Sequence, residues 1–308
     1  MRAFRALALC GTIVAYALAF LGSWTRINAA GMTCPDWPLC RGAIVPALHG
    51  GVVLEWSHRL TAALETAVVA AVIVAGLRLR TKIPALGFLL FALGGIFALQ
   101  VGLGGATIFL ANSPLSVMLH WGTAMLLIAV LCTLTIVAFS YSERSGESAP
   151  RFGGRGTAPL IAAAVCAFAT MCAGAFVSSS GAGLACPSFP DCGPALLGQT
   201  VPQALQMTHR LLAGTLVIFA ILALLSLPRG YYAAAVTLRI ALGLLALQIV
   251  LGSLVVVWQM PTALRAAHAA NAVATFLAFT IAAVLASLAA GSLPQASSIP
   301  AGVLTESA

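Results

Sequence analysis

The sequence predicts an all-α integral membrane protein: eight transmembrane helices forming two parallel-repeat four-helix bundles, with both termini cytoplasmic. Three observations carry this. The 308-residue chain is 61% hydrophobic and 7% charged, whereas a soluble domain has roughly 25% charged residues. Eight apolar segments are each long enough to cross a hydrocarbon core, which takes about 20 helical residues. Finally, residues of one half recur in order in the other. The net charge of +8 does not point to nucleic acid, because the arginines sit singly at the ends of apolar runs, as membrane topology requires.

The segments are taken in order. The first, 6–23, follows Arg2 and Arg5. Its counterpart at 158–178 lies inside the chain, so it reads as a retained helix and not as a cleaved leader. The second, 58–77, begins at His58, and the third, 84–108, follows the basic stretch Arg78 to Lys82. The fourth spans 115–139 and the fifth 158–178. The sixth, 208–227, again opens on a histidine, and the seventh and eighth cover 237–257 and 264–289. In lipid each backbone must satisfy its own hydrogen bonds, so all eight are expected as helices.

The repeat is read residue by residue. Gly22, Gly31, Cys34, Pro35, Pro38 and Cys40 match Gly174, Gly183, Cys186, Pro187, Pro190 and Cys192. Leu54, His58, Arg59 and Leu60 match Leu205, His209, Arg210 and Leu211. Gln100, Leu103, Gly104 and His120 match Gln248, Leu251, Gly252 and His268. The offset drifts slowly from 152 to 148, as small loop deletions produce. Four helices per unit give both copies the same orientation, hence a parallel repeat. The expected units are a first bundle over 1–140, a polar, Gly/Pro-rich cytoplasmic linker over 141–157, a second bundle over 158–290, and a disordered cytoplasmic tail over 291–308. With the N-terminus inside, ten of the fifteen Lys and Arg residues fall on the inner side, in line with the excess of positive charge on cytoplasmic loops. A bacterial or archaeal plasma membrane is the expected location.

Four of the five histidines are repeat-paired: His58, His120, His209 and His268. Each lies near the start of an even-numbered segment, so all four are expected at similar depth toward the outer surface. His49 has no partner in the repeat and reads as a loop residue. Ionisable groups in membrane helices are costly and usually functional. Two histidines from neighbouring helices suit a haem iron held by two axial imidazoles. Zinc would want a third or fourth ligand, and none accompanies both pairs. Arg59 and Arg210 adjoin the histidines and are candidates for haem propionates, or else for snorkelling. Gln100 and Gln248 read as helix–helix hydrogen bonds.

The acid Glu55 stands three residues before His58, while Gln206 holds the same place before His209. A carboxylate can exchange protons and an amide cannot, which puts proton chemistry in the first half. Glu65, one heptad past His58 and about 10 Å deeper, is either a proton route or a buried hydrogen-bonding acid. Cys34, Cys40, Cys186 and Cys192 form two C-x₅-C loops outside the membrane, where disulfides persist. Each pair is expected to bridge locally, the second to shape its loop, the first in a redox or shaping role. Cys10, Cys132, Cys166 and Cys172 read as small core residues.

The run "CPDWPLC" then "EWSHR", the run "CPSFPDC" then "MTHR", the segments "LQVGLGG" and "LQIVLGS", and the single histidines of the fourth and eighth segments together resemble the haem A synthase family over essentially the whole chain. The resemblance implies an oxidoreductase that converts the C8 methyl group of haem O to a formyl group, by two hydroxylations and loss of water, giving haem A for terminal oxidases. It implies that His58 and His120 ligate the substrate haem, and that His209 and His268 ligate a haem B that passes electrons. Glu55 would be the acid/base, with Cys34 and Cys40 tied to the reaction. The implied partners are haem O, delivered by a haem O synthase, membrane lipid, and an electron acceptor the sequence does not name; a homo-oligomer is compatible with it. The alternative is a diheme b-type, quinol-linked electron carrier. Such a carrier stacks its haems across the membrane, whereas here all four ligands fall on one side. A transporter of parallel repeats is disfavoured, since no broken helices surround a midplane site.

Overall fold

The computed structural model describes residues 1–141, 151–154, 156–192 and 197–292. Among them are eight helices long and apolar enough to cross a membrane: α1 (Arg2–Ile27), α2 (Gly51–Leu77), α3 (Ala85–Phe109), α4 (Pro114–Ser140), α5 (Ala158–Ser179), α6 (Val201–Ser226), α7 (Tyr232–Val257) and α8 (Thr262–Ser292). No strand occurs among the described residues. Most of the expected linker and nearly all of the expected tail lie outside them.

Two helix starts differ from the sequence expectation. Helix α2 begins at Gly51 and α6 at Val201, a full two turns before the expected 58 and 208. The polar residues Glu55, Ser57 and Arg59 lower the local hydropathy, yet Glu and Arg are good helix formers. At α6 a capping box between Thr200 and Gln203 fixes the start, with Pro202 in the first turn. As a result His58 and His209, like His120 and His268, sit about two turns inside their helices. Cys10 also departs from expectation. It is exposed on the outer face of α1, whereas Cys132 and Cys166 are buried and Cys172 is half-buried.

Within the first four helices, α1 packs on α2 and α4, and α3 on α4 and α2; within the last four, α5 packs on α6 and α8, and α7 on α8 and α6. The two sets meet through α4, which lies against α5 and α8, and through α1 against α8. Helices α4 and α8 are accordingly the most enclosed. Close approach at this seam depends on a small residue: a β-carbon on Gly122 of α4 would lie 3.1 Å from Cys172 Sγ of α5. Large side chains such as Phe88, Phe91 and Leu225 remain exposed on the outside, as suits a surface solvated by lipid.

Candidate functional site

Toward the ends of the helices that carry the histidines, the bundle encloses a cavity of about 950 Å³. His58, His120, His209 and His268 all line it, together with Glu55, Glu65, Arg26, Arg59, Arg210 and Arg265. His49 is exposed and lies elsewhere.

Each histidine is seated over a glycine of the neighbouring helix. A β-carbon on Gly22 of α1 would come within 2.8 Å of His58 Cε1, and one on Gly174 of α5 within 2.9 Å of His209 Cε1. The corresponding distances are 3.3 Å for Gly104 of α3 to His120 and 3.0 Å for Gly252 of α7 to His268. At Gly22 and Gly174 any side chain would displace the imidazole, while at Gly104 and Gly252 the ring would have to give by a few tenths of an ångström. The glycines stood in the repeat, but nothing in the sequence said which side chain each would admit.

The imidazoles are partnered unequally. His209 Nδ1 lies 2.9 Å from the Thr170 carbonyl; since the carbonyl accepts, the proton is on Nδ1 and the Nε2 lone pair is left for a metal. At His58 the matching carbonyl, Leu18, is nearby but completes no bond, and His58 Nδ1 and His120 Nδ1 have no partner. Gln100 Nε2 lies 3.4 Å from His120 Nε2, with its carbonyl taken by the Thr123 hydroxyl. Gln248 Nε2 lies 3.2 Å from His268 Nδ1 and 3.3 Å from Nε2, with its carbonyl accepting from Asn271 at 2.8 Å. These glutamines bridge α3 to α4 and α7 to α8, as expected. His58 and His120 are within electrostatic reach of each other, and so are His209 and His268. Among the described residues no three His, Cys, Asp or Glu side chains gather as a metal-ion site. Paired imidazoles with unserved nitrogens, cut-away glycines and one large apolar-walled cavity fit a haem in each half better than a bare metal ion.

Over the mouth lie the two cysteine loops. Cys34 and Cys40 are disulfide-bonded, as are Cys186 and Cys192. Trp37 and Pro38 of the first loop and Phe189 and Pro190 of the second line the cavity. Helix α2 holds the first loop: Glu55 Oε2 accepts from the Cys34 N–H at 2.8 Å and from the Thr33 hydroxyl at 2.9 Å. Arg59 donates to Glu55 Oε1 at 2.7 Å, to the Cys34 carbonyl at 2.8 Å and to the Asp36 carbonyl at 2.5 Å, and it also reaches the Leu39 carbonyl. Helix α6 repeats the pattern without an acid. Gln206 Oε1 accepts from the Cys186 N–H at 2.6 Å, and its amide donates to the Gly183 carbonyl at 2.9 Å. Arg210 donates to the carbonyls of Cys186, Pro190 and Asp191 at 3.0, 3.2 and 2.7 Å. Inside the first loop, Asp36 accepts from the Gly42 and Arg41 N–H groups at 2.7 and 2.5 Å. The bond from Gly42, foremost, holds its carboxyl below the usual carboxylate range.

Arg59 and Arg210 thus spend most of their donors on the loops. Sequence reasoning did not select Arg26 or Arg265 as site residues, yet both line the cavity. Arg26 of α1 donates to Ser178 of α5 at 2.9 Å across the seam, and the Arg265 charge of α8 bears on it. The Arg265 guanidinium makes no hydrogen bond among the described residues. Two like charges that feel each other in a half-buried setting favour an anion near them. One signal in the sequence could have found Arg265: it lies three residues before His268.

A family model for cytochrome oxidase assembly proteins, COX15-CtaA, matches residues 5–280. A haem A synthase of Symbiobacterium thermophilum is 30% identical over 231 residues, which covers 72% of this chain and 74% of that protein. One of Geobacillus kaustophilus is 28% identical over 254 residues, 80% of each chain, and one of Bacillus licheniformis is 28% identical over 222 residues, 71% and 73%. With glycine-seated histidines on one cavity and a family match running from the first helix into the last, the chain belongs to the COX15-CtaA family of cytochrome oxidase assembly proteins.

Proposed function

We propose that this protein is an oxidoreductase of haem A biosynthesis that oxidises the C8 methyl group of haem O to a formyl group. The observation that carries the reading is the set of four imidazoles, each seated over a glycine and opening on one cavity, in a chain whose relatives are haem A synthases. In this reading 1–140 is the substrate half, with His58 and His120 as iron ligands for haem O. Residues 158–290 form the second half, where His209 and His268 hold haem B. When bound there, haem B supplies one-electron transfer.

The difference between Glu55 and Gln206 supports that assignment. Each C–H bond broken at the methyl group leaves a proton to be carried away, and Glu55 is the group at the mouth able to take it up at its carboxylate oxygens. Gln206 keeps the same loop bond and cannot titrate, which suits a half that only transfers electrons. On haem O the C8 methyl shares a pyrrole ring with a propionate. Holding the propionates at the arginine-lined end therefore keeps the methyl group at the level of Glu55. Arg26 and Arg265 carry that role with the donors they have to spare, while Arg59 and Arg210 face the mouth and pin the loops. The C-x₅-C loops exclude water over each half, and the Cys34–Cys40 bond holds the backbone whose N–H orients Glu55. The Lys and Arg asymmetry supports both termini in the cytoplasm of a prokaryotic cell, with the cavity toward the extracytoplasmic side of its plasma membrane.

The test is expression with haem O available, extraction of the pigments and a search for haem A by mass. Haem A is the expected product. Two retained b haems with no haem A would overturn the reading and leave a diheme electron carrier.

A further inference from the structure

Glu65 lies two turns below His58 on α2, at the inner end of the cavity wall. It is 1% exposed, and neither carboxyl oxygen has a hydrogen-bond partner. Gly11 of α1 lies beside it: a β-carbon there would meet Glu65 Oε1 at an ordinary contact distance of 3.7 Å, and Leu131 of α4 and Val68 more tightly at 3.3 Å. These neighbours are apolar and leave both carboxyl oxygens unsatisfied. Leu127 and Ile128 of α4 continue the apolar wall. A buried polar group without a partner is costly, so a position of this kind makes sense when a ligand completes it.

The second half supplies the comparison. At the register that sets His58 against His209, Glu65 stands against Leu216, which is also buried and also lines the cavity. The inner ends of the two half-sites therefore differ by a carboxyl group; Thr275 of α8, which stands where the first half has Leu127, also lines the cavity but donates its hydroxyl to the Asn271 carbonyl of its own helix at 2.8 Å. Haem O and haem B differ in the same sense. Haem O carries a hydroxyl-bearing alkyl chain where haem B carries a vinyl group, on the edge of the macrocycle opposite the propionates. With the propionates at the arginine-lined end, that edge faces inward, toward Glu65 in one half and Leu216 in the other.

We propose that Glu65 is a specificity-determining residue that hydrogen-bonds the side-chain hydroxyl of haem O, so that the first half selects haem O while the Leu216 half takes haem B. A hydroxyl both donates and accepts, so it serves either form of the carboxyl group. The selection is asymmetric: a site built around a hydrogen bond rejects a ligand lacking that group far more strongly than an apolar site rejects one that has it. This inference rests on the proposed assignment of haem O to the first half.

The experiment uses the full-length protein, purified from cells that make both haems, with the extracted pigments quantified. It is paired with competition between haem O and haem B for protein stripped of pigment. Wild type is expected to retain one haem-O-derived pigment per haem B. Glu65→Leu should lose about tenfold in preference for haem O, the worth of one hydrogen bond. Glu65→Gln, which still donates and accepts, should stay within about twofold. Glu65→Leu that prefers haem O as strongly as wild type overturns the proposal. Should Glu65→Leu fail to accumulate, Leu216→Glu decides: it should draw haem-O-derived pigment into the second half, and an unchanged haem B content overturns the proposal. A wild type with no preference for haem O would instead sink the underlying assignment of function.

Discussion

Glu55 Oε1 lies 2.7 Å from Arg59 Nη2, one turn further along α2, and the same two side chains hold the first cysteine loop by the Cys34 N–H and carbonyl. The acid therefore has a structural duty beside any chemical one. Gln206 shows that an amide can perform the structural duty, since it accepts from the Cys186 N–H in the same way.

That relationship makes Glu55→Gln an informative substitution. The amide keeps an acceptor for the Cys34 N–H and loses the ion pair with Arg59. Haem content and the Cys34–Cys40 disulfide should persist, while haem A output falls about 100-fold or more, the range for removing a general acid or base. Pigment extraction with mass detection, together with a free-thiol count, checks both halves of the statement. Normal haem A output from this variant would remove Glu55 from the chemistry.

The glycine seats give a second prediction. Gly22→Ala places a methyl group 2.8 Å from the His58 ring, so the imidazole must move. Overpacking of this kind costs about 1–3 kcal/mol, which should weaken haem retention in the first half roughly tenfold to a hundredfold. Gly174→Ala, with 2.9 Å to His209, should do the same in the second half. Gly87 and Gly102 meet nothing within 4 Å, so alanine there should leave haem content unchanged and favour the helix by about 0.5–1 kcal/mol. Haem-to-protein ratios across the four variants test the contrast.

The eight helices, the repeat-matched histidines and the two cysteine loops were legible in the sequence, because hydropathy and spacing are local properties of the chain. The starts of α2 and α6 were not. A charged residue depresses hydropathy whether it faces water or a folded-back loop, and here Glu55 and Arg59 face the loop. The division of labour among the arginines was also hidden. Arg59 adjoins a histidine and so drew attention, yet its donors go to loop carbonyls, while Arg26 and Arg265 come together only because α1 and α8 pack across the seam. Glu65 could be located by its heptad spacing from His58, but its lack of a partner is a tertiary fact.

Asp36 gives the first loop a pH dependence. Its folded pKa lies below the ordinary 3.8, so its contribution is fully present above that value and is lost as pH falls through the lower folded value. Asp36 is half-exposed at the loop surface and its bonds stay within the loop, so the effect is local. Reduction of the Cys34–Cys40 disulfide by a water-soluble phosphine should accelerate below pH 3.8 in wild type. Asp36→Asn should be reduced faster above that pH and show no such step. The Cys186–Cys192 loop has Ser188 at the register of Asp36, so Asp36→Asn should leave the reduction of that disulfide unchanged.

The arginines separate into two classes by what their loss should do. Arg59→Gln removes bonds to Glu55 and to three loop carbonyls. It should therefore expose the Cys34–Cys40 disulfide to reductant and lower haem A output together. Arg26→Gln touches neither loop; it should leave disulfide protection intact and weaken haem retention about tenfold, as expected for losing a charge-assisted hydrogen bond. Esterified propionates identify the partner. If Arg26 meets a propionate, the dimethyl ester of the haem should bind wild type about tenfold less well than the free acid, and Arg26→Gln should no longer distinguish the two. An ester penalty that persists undiminished in both Arg26→Gln and Arg265→Gln would show that the propionates are held elsewhere, with the remaining donors of Arg59 and Arg210 as the next place to look. That result would also reverse the inferred placement of the macrocycle edges, and with it the placement of the C8 methyl beside Glu55.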